Sequence, residues 1–208
     1  MSWKASLEEI RDRDWSTASA ADRDEKSEEV IVMCSYAAAV SAVVPIPLAD
    51  LAVVLPVQSV MVMTIGHLHG RTVGETEAKR IVLELGAVAG VAFAGHAAMS
   101  ALKRLLLPAV GGLLSVSATF ALTWGLGHVS RAYFSDPHLS RDALADLFKQ
   151  AVAEGKEAFS KEAFERFRRD QQASREAPQE AAEAPEPSTP PEPPPEVDEA
   201  LRLPKRKL

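Results

Sequence analysis

The chain has 208 residues, a formal net charge of −6 and a single cysteine. This length fits one domain with flanking segments, and the acidic balance argues against a nucleic-acid-binding protein, in which a basic face is expected. The lone Cys34 excludes a disulfide within the chain and is typical of a reducing compartment or a membrane.

Charge is distributed unevenly along the chain. Residues 1–29 carry nine acidic and five basic side chains, a net of −4, and residues 135–208 carry sixteen and twelve, again a net of −4. Between them, residues 30–134 are mostly apolar and carry a net of +2, from six basic and four acidic side chains. This pattern predicts an apolar core between two acidic flanks. The charged first 29 residues are not typical of a cleavable signal peptide.

Residues 1–27 are predicted to form a charged arm with one short helix. Ser6 is followed three residues later by Glu9, ahead of an apolar residue, which predicts a capping box at the start of that helix. A polar linker should follow, and either Asp24 or Ser27 is predicted to cap the next helix.

Residues 28–134 contain four charge-free segments. They lie between Glu29 and Asp50, Asp50 and Arg71, Glu84 and Lys103, and Arg104 and Arg131, and they enclose 20, 20, 18 and 26 residues. A helix needs about 20 predominantly apolar residues to cross a bilayer. The segments therefore predict an all-α core of two apolar helical hairpins, forming a four-helix membrane-associated bundle.

Pro45 and Pro47 mark the tip of the first hairpin. Proline breaks a helix interior and disfavours the α conformation of the residue before it. One helix should therefore end near Val44 and the next begin near Pro47, with Asp50 in its first turn, where negative charge is favourable. At membrane depth, Asp50 would instead be a functional candidate. The second tip is predicted at residues 102–108.

The same distribution of charge bears on where the hairpins lie relative to a membrane, and it is compatible with more than one arrangement. The favoured one places the chain at the cytoplasmic membrane with both termini in the cytoplasm. Lys103 and Arg104 on the outer tip oppose the positive-inside tendency, whereas Arg71 and Arg131 agree with it. The hairpins could span the bilayer or lie in it. The alternative is a soluble bundle of mutually buried helices, which would leave a large apolar patch.

Small residues in the third segment also predict close helix packing. Gly86 and Gly90 are spaced four residues apart on one helix face, the spacing that lets two helix backbones approach in membranes.

The last part of the chain divides into two predicted regions. Residues 135–170 contain an amphipathic helix that should start at a Ser140 cap and reach about Arg169. Residues 171–208 are rich in Ala, Glu and Pro and are predicted to form a disordered tail, with an extended spacer before a small basic cluster near its end.

No catalytic constellation is recognisable. Gly155 and Lys156 lack the preceding glycine and the following hydroxyl residue of a phosphate-binding loop. His67 and His69 are two positions apart and would point to different helix faces, which is poor metal geometry. Cys34 has no nearby base. The sequence therefore predicts no enzymatic activity, no cofactor and no metal ion.

With these residues placed, residues 28–160 resemble the YcjF-type domain of unknown function, a bacterial helical domain. The resemblance rests on an Ala-rich helix followed by Pro45, Pro47, Asp50, Gln58, Met61 and Gly70. Such domains are commonly fused to, or encoded beside, small Era-like GTPases, and the family has no established catalytic residues. The six residues are carried over as a structural or interaction motif.

The resemblance implies a non-enzymatic, membrane-associated module that anchors or senses for a small GTPase in trans, with no nucleic-acid partner. One alternative is a small channel or transporter subunit, with Asp50, Gln58, His67 or His96 lining a path. Another is a soluble helical scaffold that binds a protein partner. Homo-oligomerisation stays open.

Overall fold

The computed structural model describes residues 3–43, 49–92 and 112–182, and within these residues every regular element is an α-helix. The helices are α1 (Trp3–Asp12), α2 (Ala20–Ser41), α3 (Ala49–Leu68), α4 (Glu75–Ala92), α5 (Gly112–Ser135), α6 (Arg141–Ala158) and α7 (Lys161–Ala182). The all-α prediction is confirmed for these residues. Both predicted hairpin tips, including Pro45 and Pro47, lie outside them.

Helices α2 to α5 form an up-down-up-down bundle. Helix α2 runs antiparallel to α5, since Ile31 lies against Gly127 and the ring centroid of Tyr36 is 4.6 Å from that of Phe120. Helix α3 runs parallel to α5. Its Gln58 contacts Thr123, and eight residues later Gly66 contacts Phe134. Helix α4 packs on α3 and on α6, and its contact with α5 is smaller.

The bundle interior is apolar, and several of its buried hydroxyl groups donate within their own helix. Met61, Ile65 and Val129 are almost completely buried. Thr64 and Ser130 are also fully buried, and each donates its hydroxyl to the carbonyl four residues earlier in its own helix. Because a buried hydroxyl without a partner is costly, these backbone bonds explain why polar residues are tolerated here.

Glycines permit close approach in the bundle, but at other positions than predicted. A Cβ on Gly86 would meet no heavy atom within 4 Å, so this glycine is not at a close helix contact. By contrast, a Cβ on Gly127 would lie 2.6 Å from Ile31, and one on Gly125 would lie 2.6 Å from Val152 of α6. The surroundings of Gly90 lie outside the described structure, so of the predicted pair only Gly86 is seen to be free of a close contact with the described residues.

The helix starts near the N-terminus differ from the prediction. Helix α1 begins at Trp3, so Ser6 lies inside it rather than at its cap. Helix α2 begins at Ala20, and its N-cap is Ser19 instead of Asp24 or Ser27. The Ser19 hydroxyl accepts from the Asp22 amide, and the Asp22 carboxylate accepts from the Ser19 amide. This reciprocal pair stabilises the helix earlier in the chain than either predicted cap.

The predicted amphipathic helix is two helices. Ser140 does cap α6, as expected, by accepting from the amide of Ala143. The helix then ends before Phe159, whose backbone is extended, and Ser160 starts α7 by accepting from the amide of Ala163. The break occurs because Phe159 packs among the aromatic rings of α2 and α5 while Ser160 supplies a new cap.

Helix α7 extends through residues 171–182, which belong to the predicted disordered tail. That prediction is wrong for these residues, because Ala, Glu, Gln and Arg are strong helix formers and they continue a helix that is already anchored by Phe164 and Phe167. Residues 183–208 lie outside the described part of the chain.

Within the described ranges, no helix combines the length and the apolar character that crossing a bilayer requires. A helical bundle is supported as an architecture, and its spanning of a membrane is not.

Candidate functional site

The most concentrated polar contact inside the bundle joins α2 to α5. His128 and Arg131 are three residues apart on α5 and so share one helix face, which is turned toward Glu28 of α2. His128 Nε2 lies 3.5 Å from Glu28 Oε1, and Arg131 Nη1 lies 3.4 Å from Glu28 Oε2. A second guanidinium nitrogen of Arg131 lies 3.3 Å from His128 Nδ1. We call these three residues the Glu28 cluster.

The electrostatics of the cluster favour an ionised glutamate. The hydrogen bond from His128 lowers the pKa of Glu28 below its ordinary value, partial burial opposes this, and the charges of His128 and Arg131 lower the pKa further. The His128 side chain is only 12% exposed, and the Trp124 ring lies beside it, with centroids 5.1 Å apart. The cluster contains no nucleophile, and its geometry fixes the register of α2 against α5.

Two of the predicted motif residues form a contact between α3 and α5. Gln58 Nε2 donates to Thr123 Oγ1 at 3.2 Å, and Thr123 is fully buried. Met61 lies one turn further along α3 and is also fully buried in the core. The structure therefore gives Gln58 and Met61 a packing role.

Gly70 ends α3 and is explained by backbone geometry. Its φ is +71°, a left-handed conformation that glycine adopts at little cost. The Gly70 amide donates to the carbonyl of His67, and the Arg71 amide donates to the carbonyl of Gly66 at 2.8 Å. These two bonds are those of a Schellman motif, which satisfies the last carbonyls of a helix. Gly70 therefore lies at the opposite end of α3 from Asp50.

The remaining motif residues are placed only in part. Asp50 lies in the first turn of α3, as predicted, but its side chain lies outside the described structure. Pro45 and Pro47 are not within the described residues. The six motif residues thus do not form one site, since Gln58 and Met61 lie within the bundle and Gly70 caps one end of it.

The histidines and the cysteine have separate surroundings. His67 Nε2 lies 3.0 Å from the carbonyl oxygen of Arg13, whereas His69 Nδ1 lies 3.5 Å from Ser135 Oγ. Burial is the main cause that lowers the pKa of His69, and burial raises the pKa of the Cys34 thiol. In the described part of the chain, no three His, Cys, Asp or Glu side chains are grouped for a metal ion.

Sequence reasoning missed the Glu28 cluster. The only local signal is the spacing of His128 and Arg131 on one helix face, and nothing in the sequence pairs that face with Glu28, about 100 positions away. Arg131, which bounds the fourth charge-free segment, pairs with Glu28, the residue that precedes the boundary of the first segment.

The chain is similar to one protein family and to one relative among known proteins. The profile of a protein family described as a domain of unknown function, DUF697, matches residues 9–129, from α1 to α5. Magnetosome membrane protein 22 of Magnetospirillum gryphiswaldense is 29% identical over 149 residues, which cover 67% of this chain and 75% of that protein. No solved structure matches the chain. Because the profile covers more than half of the sequence, and agrees with the resemblance to the YcjF-type domain, the chain belongs to the DUF697 family of domains of unknown function.

Proposed function

We propose that this chain is a non-enzymatic, membrane-associated helical module that acts with a small GTPase in trans. The observation that carries the membrane part is the segregation of charge along the bundle. The last charged residue of α2 is Glu29, that of α4 is Glu84, and the first of α5 is Arg131. Asp50 is the only charged residue of helix α3.

The antiparallel arrangement brings these charge-free stretches to one end. The C-terminal end of α2 and the N-terminal ends of α3 and α5 lie together, since α2 is antiparallel and α3 parallel to α5, and we call this the apolar end. The Glu28 cluster lies toward the other end. A bundle in which Asp50 is the one charged residue of the described helices at one end, while the other end carries many charges, has the polarity expected of a protein that inserts one end into a lipid surface.

Two further observations support a lipid surface as the partner of the apolar end. Residues 44–48 and 93–111, which follow α2 and α4 in the sequence, are mostly apolar. Their charged residues are Lys103 and Arg104. Apolar side chains with a few cations suit the boundary between acyl chains and anionic headgroups. The relative from Magnetospirillum is itself named a membrane protein.

Membrane association is tested by mixing the purified chain with vesicles of phosphatidylcholine and phosphatidylglycerol and separating bound from free protein by flotation. Val43 is 41% exposed at the apolar end, and Leu83 is 63% exposed on α4, beside Glu84. We expect V43E to lower the vesicle-bound fraction and the matched control L83E to leave it unchanged. A chain that stays unbound, and that a carbonate wash releases fully from cell membranes, would favour the scaffold alternative.

The GTPase part rests on the resemblance to YcjF-type domains. A purified Era-like GTPase from the source organism, loaded with GDP or with a non-hydrolysable GTP analogue, is added to vesicles with and without this chain. We expect the GTPase to float with the vesicles only when the chain is present. Equal flotation in both samples would reject the GTPase partner and leave membrane association standing.

A further inference from the structure

A groove runs between α2 and α7 on the outside of the bundle. Its volume is about 540 Å³. Val32, Met33 and Tyr36 of α2 and Phe167 of α7 form its apolar floor. Three carboxylates of α2 form its rim, namely those of Glu25, Glu28 and Glu29. We call it the α2–α7 groove.

The rim keeps a net charge of −1 after its ion pairs are counted, because its three carboxylates face two paired cations, and the surrounding start of α2 is acidic as well. Lys26 pairs with Glu29, and Arg131 pairs with Glu28. Among the described residues, Glu25 has no ion pair. Residues 20–29 of α2 carry five carboxylates and two basic side chains, a net charge of −3. A partner for this groove must therefore combine apolar side chains with positive charge.

The same chain contains a segment of that chemistry. Residues 201–207 read Leu-Arg-Leu-Pro-Lys-Arg-Lys, with four cations, two leucines and no acidic side chain. The preceding residues 183–200 carry six carboxylates and no basic residue, so the positive charge is confined to the segment.

The connection between α7 and this segment is long enough for it to reach the groove. Helix α7 continues from Phe167 to Ala182, a distance of roughly 22 Å at 1.5 Å per residue. The eighteen residues 183–200 can span up to about 60 Å when extended. Since a short tether holds a segment at an effective concentration on the order of millimolar, weak contacts are sufficient for docking.

We infer that the α2–α7 groove is a docking site for residues 201–207 of the same chain, with the leucines on the apolar floor and the cations at the acidic rim. This contact covers the acidic face of α2. It is independent of the membrane association and of the GTPase partner proposed above, which involve the apolar end and a second protein.

The test uses the full chain, ¹⁵N-labelled, with a nitroxide spin label on P204C. Pro204 contributes neither a charge nor a leucine, and the native Cys34 is fully buried. We expect the amide signals around Glu25, Met33 and Phe167 to lose intensity and to recover when the nitroxide is reduced. A label on S188C, in the acidic spacer, is the matched control and should broaden these signals less.

Two further samples test whether the contact depends on the rim charges and whether it forms within one molecule. In the P204C chain, E25K with E29K should abolish the loss of intensity, because both changes reverse rim charges. Spin-labelled chain without ¹⁵N, mixed with ¹⁵N chain without a label, reports contacts between molecules. A loss of intensity in this mixture as large as dilution of the spin label allows for a contact between molecules would assign the groove to a second copy and overturn the inference. Groove signals that do not change would overturn it as well, and this is the result expected if the segment binds only anionic vesicles. Broadening that persists in E25K/E29K would also overturn it.

Discussion

At the scale of single residues, Gly127 determines how closely α2 and α5 approach. An added methyl group would lie 2.6 Å from Cγ1 of Ile31, a branched side chain that is fully buried and cannot move aside. Overpacking of this kind costs about 1–3 kcal/mol, against a gain of up to about 1 kcal/mol from the better helix propensity of alanine. We expect G127A to lower the free energy of unfolding by about 1–2 kcal/mol in urea titrations.

Gly86 is the matched control for this prediction. It is an exposed glycine inside α4 with open space around its Cα. Because alanine loses less backbone entropy on folding, G86A should raise the free energy of unfolding by about 0.5–1 kcal/mol. If both variants were stabilised alike, the close contact at Gly127 would not limit the packing of α2 on α5.

Glu28 makes stability depend on pH. Its pKa is lowered in the folded protein, chiefly by the hydrogen bond from His128. The ionised form therefore contributes stability above the ordinary glutamate pKa of 4.5, and this contribution is lost as the pH falls through the lowered value. We expect E28Q to cost below about 1 kcal/mol at pH 6, since the glutamate is partly exposed. Urea titrations at several pH values should show this difference shrinking toward pH 3. A difference that grows on acidification would contradict the assignment.

At the scale of elements, Ser19 defines where α2 begins. Its side chain accepts from the Asp22 amide, which satisfies one of the free donors at the helix start. S19A is expected to cost about 0.5–2 kcal/mol in thermal or urea unfolding. T17A, an exposed hydroxyl removed two positions earlier, should change stability by no more than about 0.5 kcal/mol. Equal effects of the two substitutions would mean that the capping box does not stabilise α2.

At the scale of the whole molecule, the packing of α7 shows how far the folded unit extends. Phe164 is 2% exposed, and Phe167 stacks on Tyr36 of α2 with centroids 5.9 Å apart. A chain that ends at Arg169 keeps both rings, so its free energy of unfolding should change by no more than about 1 kcal/mol. Its helical circular dichroism should fall, because residues 170–182 are helical. Deleting everything after Ser160 removes both rings and should cost about 3 kcal/mol or more.

The sequence by itself determined the helical class. Long charge-free stretches that lack strand alternation can bury their surface only as helices packed on one another, and the confirmed α2, α3, α4 and α5 lie within or across those stretches. Ser140 was also identified correctly as a cap, because capping depends on local chemistry.

Only the tertiary structure decided which residues meet. The pairing of Glu28 with Arg131, the contact of Gln58 with Thr123 and the close approach at Gly127 join positions far apart in the chain, and each depends on how the helices are rotated about their axes. A periodic pattern specifies that a helix has an apolar side, but this chain is apolar on nearly every side of α3, of α5 and of α2 after Glu29. The break at Phe159 has the same origin, since a long-range contact with Tyr36 and Phe120 overrides a local pattern that favours one continuous helix.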